Sequence, residues 1–184
     1  TDIKGAKSGP LAGMRIGVKD TVSVAGVPMM NGSRVLEGPV PQIDATVVTR
    51  LPDAGGVIAG KTASADFSFP SGGHTSAYGP IRNPHKPTHS PGGSSKGSAA
   101  ALAAGDIKMA LGGDQGGSIR IPAAWSGIVG LKPSHGLIPY TGIVGFDLSI
   151  DHIGPMTKDV ADTALMLSVL AGSDDTCIDP RQPS

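Results

Sequence analysis

The chain reads as an α/β fold, a mixed and partly parallel β-sheet flanked by helices, and three observations carry that reading. Short apolar runs of strand length recur at Arg15–Lys19 (RIGVK), 57–61 (VIAGK) and 107–111 (IKMAL). Segments of helical spacing or small-residue composition lie between and after them. The 28 Gly and 16 Pro of the 184 residues are interleaved with apolar stretches such as VVTRL and ALMLSVLAG, not gathered into one tract. That pattern describes a loop-rich globular chain, and strands alternating with helices build a sheet with parallel neighbours.

Taken in order, the strand at Arg15–Lys19 follows Gly13 and delivers Lys19 at its end. Asp44 stands where a side-chain oxygen would cap a helix running through Val47, Val48 and Leu51. Pro52 lacks an amide hydrogen and should kink or end that helix. Residues 57–61 predict a buried strand. Residues 67–91, rich in Pro, Gly, Ser and His, predict a long loop of the kind that carries function in compact domains. Residues 98–104 (SAAALAA) predict a small-residue helix ended by Gly105, and residues 107–111 a strand running straight into a glycine turn. Residues 128–132 supply a further strand. Over 160–171, Val160, Ala164, Leu167 and Ala171, with Ala161 and Leu165 beside them, define the face of a helix closed by Gly172. Trp125, Phe69 and Phe146 are assigned to core or pocket wall. No internal repeat is present. The whole, 1–184, reads as a single domain whose ends, Thr1 and the linker-like DPRQPS, are expected to be cuts.

Composition narrows the function. Lys plus Arg and Asp plus Glu are both 15, so no global field favours nucleic acid or an anionic membrane. Cys177 is the only cysteine, which excludes an intrachain disulfide framework and a multi-cysteine metal site, fits a reducing compartment and is read as inert. No apolar run approaches the ~20 residues of a membrane span, and TDIKGAKSGP lacks a signal-peptide core. A soluble cytoplasmic protein is expected.

Chemistry concentrates in residues 112–122, GGDQGGSIRIP, where Ser118 sits behind Gly116 and Gly117 and ahead of Arg120 and Pro122. Glycines let the backbone approach a ligand closely, so the amides of Gln115, Gly116, Gly117 and Ser118 can converge on one oxygen and stabilise the oxyanion formed when Ser118 attacks a carbonyl. A tight turn with a solvated serine is the competing reading. Asp114 and Arg120 flank the turn and can pair to pin its shape. A second serine turn, GGSSKGS at 92–98, opens the small-residue helix. Gly93, Ser95 and Gly97 match the G-x-S-x-G elbow that would make Ser95 a nucleophile, but three prolines in NPHKPTHSP preclude the buried strand that must precede it. The Walker pattern fails because Lys96 precedes Gly97. Lys19 is either an ordinary ion-paired lysine or, if burial lowers its pKa from ~10.4 toward ~7 to 8, a general base. His85 and His89 have a spacing used by metal ligands, but Pro84, Pro87 and Pro91 oppose the helix that would align them, and no metal is expected.

Together these residues resemble the amidase signature family, serine hydrolases with a Ser, cis-Ser, Lys triad. The likeness runs through PLAGMRIGVKDTVSVAGVP, GGSSKGSAAALAAG, GGDQGGSIRIPAAWSGIVGLKPSHG and IDHIGPMTKDVADTA. It implies that Lys19 of the VKD motif, Ser94 of GGSS and Ser118 of GGSIR form the triad. Ser118 would attack the amide carbonyl while Ser94, after a cis peptide from Gly93, relays its proton to neutral Lys19. Water would then release the acid from the acyl-enzyme. The resemblance further implies an oxyanion hole from Gln115 to Ser118, structural support from Ser95, Asp114 and Arg120, and no cofactor. The implied partner is a small-molecule amide, with a homodimer left open.

Within the family, GGDQGGSIRIPAAWSGIVGLKPSHGLIPYTG is most similar to bacterial nitrile-pathway amidases acting on small aliphatic or aromatic amides. The glutaminase-type amidotransferase component ranks second, since it usually has Thr at the place of Gln115 and Gln at that of Ile121. Three departures stand out: Lys96 where Gly or Ser is usual, Pro52 where a helix normally continues, and a length suited to an incomplete, N-terminal portion of the catalytic domain. The last supports a further reading, an amidase core without turnover.

Overall fold

The chain is described by a computed structural model, which covers residues 2–70, 72, 74–174 and 176. Six strands form one sheet: Ile3–Lys4 (β1), Arg15–Lys19 (β2), Val57–Thr62 (β3), Met109–Asp114 (β4), Val129–Gly130 (β5) and His152–Thr157 (β6), in the order β1-β3-β2-β4-β6-β5. The central trio is parallel, with Ile16 opposite Ile58 and Met109, and Lys19 opposite Thr62. Antiparallel β1, β6 and β5 complete the edges. The sheet is therefore mixed and partly parallel, as the alternation of elements predicted.

Side chains alternate across a strand, and β4 divides the core accordingly. Met109 and Leu111 join Ile16, Val18, Val47, Leu51, Met166 and Leu170 on one face. There lie the helices Thr46–Asp53 (α1) and Val160–Leu170 (α4). Ala110 packs with Ala99, Leu102, Ile119 and Met156 on the other, against the helices Lys96–Ala104 (α2) and Arg120–Ser126 (α3). Small residues let α2 come close: Gly97 donates to Ala63 O at 2.8 Å, and a Cβ on Gly97 would also lie 2.8 Å from that oxygen. Gly105 ends α2 at φ 89°, as its position predicted.

Several expectations change. Asp44 does not cap α1; Ala45 holds that place without a side-chain bond, and Asp44 Oδ1 instead accepts from Ala25 N at 2.6 Å. Pro52 lies in the final turn of α1, which ends one residue later, as a residue without an amide hydrogen was expected to bring about. β3 is only half-buried, Ile58 excepted, because its outer neighbour β1 is two residues long. β4 starts later than the apolar pattern suggested and takes Gly112 and Gly113 into the sheet. The strand expected at 128–132 shrinks to Val129–Gly130. α4 turns a different face inward: Thr163, Met166 and Leu170 are buried, while Val160 is 71% exposed. Thr163 Oγ1 donates to Asp159 O at 2.9 Å and shares a hydrogen bond with Thr157 Oγ1 at 2.6 Å, which draws a polar residue to the sheet. Trp125 is exposed and belongs to no core. β1, β6 and α3 were not predicted. Cys177 and the linker-like DPRQPS lie outside the described residues, as do Ser71 and Gly73 of the predicted loop. No helix among the described residues is long and apolar enough to cross a membrane.

Candidate active site

The parallel strands β2 and β4 end side by side, and their ends bring the first site residues together. Lys19, the last residue of β2, is fully buried and directs Nζ to Ser94 Oγ at 2.7 Å and to Gly113 O at 3.5 Å. A Cβ on Gly113 would lie 3.4 Å from that nitrogen, in ordinary van der Waals contact, so β4 packs closely on the amine. Burial lowers the Lys19 pKa to about 7, with the negative charges of Asp114 and Asp151 acting against it. The lysine is thus poised between its two protonation states at neutral pH.

Ser94 follows a cis peptide from Gly93 and is buried. Gly92, at φ 83°, packs against Pro122 Cα, where a Cβ would come within 2.7 Å. Ser95 ties the two serine turns together: its amide donates to Ser118 O at 3.3 Å, and its hydroxyl bonds both the N–H and C=O of Gly113 at 3.2 Å. Such a hydroxyl is held inside the fold and does not face substrate. Lys96, the departure noted in the sequence, points inward and donates to Thr75 O at 3.3 Å, its pKa lowered by burial.

Asp114 organises the Ser118 turn. Its Oδ1 accepts from Gly117 N (2.7 Å) and Arg120 Nη2 (2.9 Å), and its Oδ2 from Ile119 N (3.1 Å) and Arg120 Nε (3.0 Å). Burial alone would raise this carboxyl, but the bonds from Arg120, Ile119 and Gly117 outweigh it and hold the pKa below the usual range. The Gly117 amide is therefore engaged by Asp114 and cannot also serve the oxyanion, which removes it from the donor set expected from sequence. The amides of Gln115, Gly116 and Ser118 donate to no acceptor among the described residues. Ser118 itself is 3% exposed and lines a cavity of about 470 Å³ with Gln115, Gly116, Ser68, Phe69, Pro70, Phe146 and Ile150. The Phe69 and Phe146 rings lie 5.6 Å apart. Lys19 and Ser94 are thus joined, whereas no hydrogen bond among the described residues links the Ser94 and Ser118 hydroxyls.

The predicted histidine pair is engaged elsewhere, His85 Nε2 with Ser126 O at 3.0 Å and His89 Nδ1 with Thr88 Oγ1 at 3.0 Å. Sequence reasoning missed Asp151, a buried carboxylate whose charge reaches Lys19. It lies in IDHIGPM between apolar and polar neighbours, with no spacing signal to mark it.

The geometry has counterparts among known proteins. The enantioselective amidase of Rhodococcus rhodochrous is 54% identical over 184 residues, covering 99% of this chain and 35% of that protein. A glutamyl-tRNA(Gln) amidotransferase component from Methanosarcina acetivorans is 47% identical, over 98% of this chain and 38% of that one. The solved peptide amidase of Stenotrophomonas maltophilia superposes with a TM-score of 0.88 at 42% identity, over 96% of this chain and 37% of its own. The chain thus spans little more than a third of the length of each of these relatives. The sequence model of the family described as Amidase matches residues 1–183. On the strength of that match over nearly the whole sequence, the chain belongs to the Amidase family.

Proposed function

We propose that the chain carries an amide-hydrolysing centre in which Ser118 is the nucleophile, Ser94 the proton relay and Lys19 the base. The observation that carries this reading is the 2.7 Å bond from a fully buried, easily deprotonated Lys19 to Ser94 Oγ. Ser118 Oγ attacks the carbonyl carbon, its proton passes to Ser94 Oγ, and the Ser94 proton passes to neutral Lys19. The amides of Gln115, Gly116 and Ser118 receive the oxyanion, each such donor being worth roughly 3 kcal/mol in the transition state. Collapse breaks the C–N bond, and the departing nitrogen takes its proton back from Lys19 through Ser94. Ammonia leaves, water attacks the ester by the same relay, and the carboxylic acid is released. No cofactor enters any step.

The aromatic wall of Phe69 and Phe146 favours an apolar or aromatic acyl group over the polar side chain of glutamine, which supports a small-amide hydrolase over an amidotransferase component. A cytoplasmic setting is the one assumed. Incubation with a fluorophosphonate followed by mass spectrometry tests the assignment. The adduct is expected on Ser118 and absent in Ser118→Ala, while Ser95→Ala retains it. Labelling of Ser95 would replace the triad with an elbow hydrolase, and a folded chain that takes up no probe would be a core without turnover.

A further inference from the structure

Residues 145–151 supply two walls of the cavity, Phe146 and Ile150, yet they form neither strand nor helix. One side chain fixes them. Asp151, 3% exposed, accepts the amides of Phe146 and Asp147 on Oδ2 at 2.6 and 3.0 Å, and its own amide donates to Asp147 O at 2.9 Å. The carboxylate comes so close that a Cβ on Gly145 would lie 2.5 Å from Oδ2. Only glycine admits it. From the other side the Gln115 carboxamide faces the same carboxylate and favours its ionised form. Gln115 belongs to the turn that presents Ser118, so Asp151 touches the nucleophile's turn and the aromatic wall at once. Asp151 Oδ1 and Gln115 Oε1 are each buried without a hydrogen-bond partner among the described residues.

We propose that Asp151 is a positioning residue that sets which acyl groups the cavity accepts, by holding the Phe146 wall and the Gln115 turn at a fixed separation. The proposal rests on the reading of Ser118 as nucleophile. Asp151 also acts on Lys19 through its charge, together with Asp114, but that influence falls on every substrate alike. Its grip on Phe146 does not. Without the carboxylate, the Phe146 amide loses its acceptor, the ring leaves Phe69, and the continuous aromatic wall against which a flat acyl group would lie is broken.

The full chain has three phenylalanines, Phe67, Phe69 and Phe146, so incorporation of 4-fluorophenylalanine yields three fluorine resonances, assignable by Phe→Leu variants. These spectra are recorded beside the labelling rates of Ser118 with a methyl- and a phenyl-substituted fluorophosphonate. Asp151→Ala is expected to reduce the phenyl-over-methyl preference by about fivefold or more. It should also shift the Phe146 and Phe69 resonances and leave that of Phe67 in place. Asp151→Asn keeps one acceptor oxygen and falls between, with about a twofold loss and smaller shifts in the same direction. An equal slowing of both probes with the Phe146 resonance unmoved would overturn the proposal in favour of a purely electrostatic role. If Asp151→Ala does not fold, Asp151→Asn decides, and a spectrum and preference identical to wild type overturn the proposal. If wild-type Ser118 takes up neither probe, the assignment of the nucleophile falls, and the fluorine spectra still decide whether Asp151 holds Phe146.

Discussion

Replacing Lys19 with methionine, which keeps length and loses charge, isolates the amine proposed as the base. With its pKa lowered to about 7 by burial, about half of the lysine is free base at pH 7, against roughly 0.03% for a lysine at its ordinary value. The rate of Ser118 labelling by a fluorophosphonate should climb about tenfold per pH unit below about pH 6, bend near 7 and level off above about 8. Lys19→Met should remove the bend and lower the plateau by about a hundredfold or more. Stability supplies a second reading from the same residue. Between the folded value of about 7 and the ordinary 10.5, the unfolded chain holds a proton that the folded chain has released, so stability rises with pH across that window. Below it both states are protonated and the contribution is flat. The depression corresponds to on the order of 4 kcal/mol across the window. Lys61 and Lys96 are also lowered and act in the same direction, so the quantity to measure is the difference between wild type and Lys19→Met in urea melts at about pH 7, 8.5 and 10. A difference that stays constant with pH, or a labelling rate that keeps climbing to about pH 10, refutes the neutral-lysine argument.

Asp114→Asn should destabilise the chain by about 2 to 3 kcal/mol at neutral pH, because one amide oxygen replaces two that receive Gly117, Ile119 and Arg120. The half-exposed Arg120 can turn to water, which limits the loss. Since the Asp114 pKa is lowered on folding, its contribution is complete above the ordinary carboxylate range and is lost as pH falls through the folded value; urea melts in acid should show the gap narrowing. Gly97→Ala should cost about 2 to 3 kcal/mol by forcing a methyl against the Ala63 backbone. Gly26→Ala, where the new carbon meets nothing but φ is 73°, should cost about 1 kcal/mol. Equal costs in denaturant titrations would show that contact with Ala63 does not govern α2.

The glycine and serine turns stood out in the sequence, but the residues alone left a solvated-serine turn and an ordinary ion-paired lysine open, and only the family resemblance joined Lys19, Ser94 and Ser118. The central strands were legible from their apolar runs. β6 was hidden by Gly154 and Pro155, which read as breakers in one dimension. In three, Gly154 is the residue that lets the Leu131 carbonyl pass, and Pro155 O accepts the Leu131 amide at 3.0 Å. The buried face of α4 was misread because Thr163 is held inside by hydrogen bonds, which hydropathy does not register. The fate of the Gly117 amide depends on how far the Asp114 carboxylate folds back over the turn, and the role of Asp151 on a contact with Gln115 from 36 residues away in a different element. Neither is encoded by local spacing.

The central strand β4 also bears on how this protein can be redesigned. A side chain at Gly112 would come within 2.5 Å of Met156 Sδ and 3.2 Å of Ser95 Oγ, and Gly113 faces the Lys19 nitrogen. A larger residue at Gly112 would therefore have to displace Met156 and press on Ile119. The cavity wall is more open: Phe69, Phe146 and Ile150 stand 70%, 58% and 44% exposed on segments outside the sheet. A combinatorial library confined to residues 68–70, 146 and 150 would diversify selectivity while leaving the reacting groups untouched, so new specificities should be reachable without first restoring a damaged core.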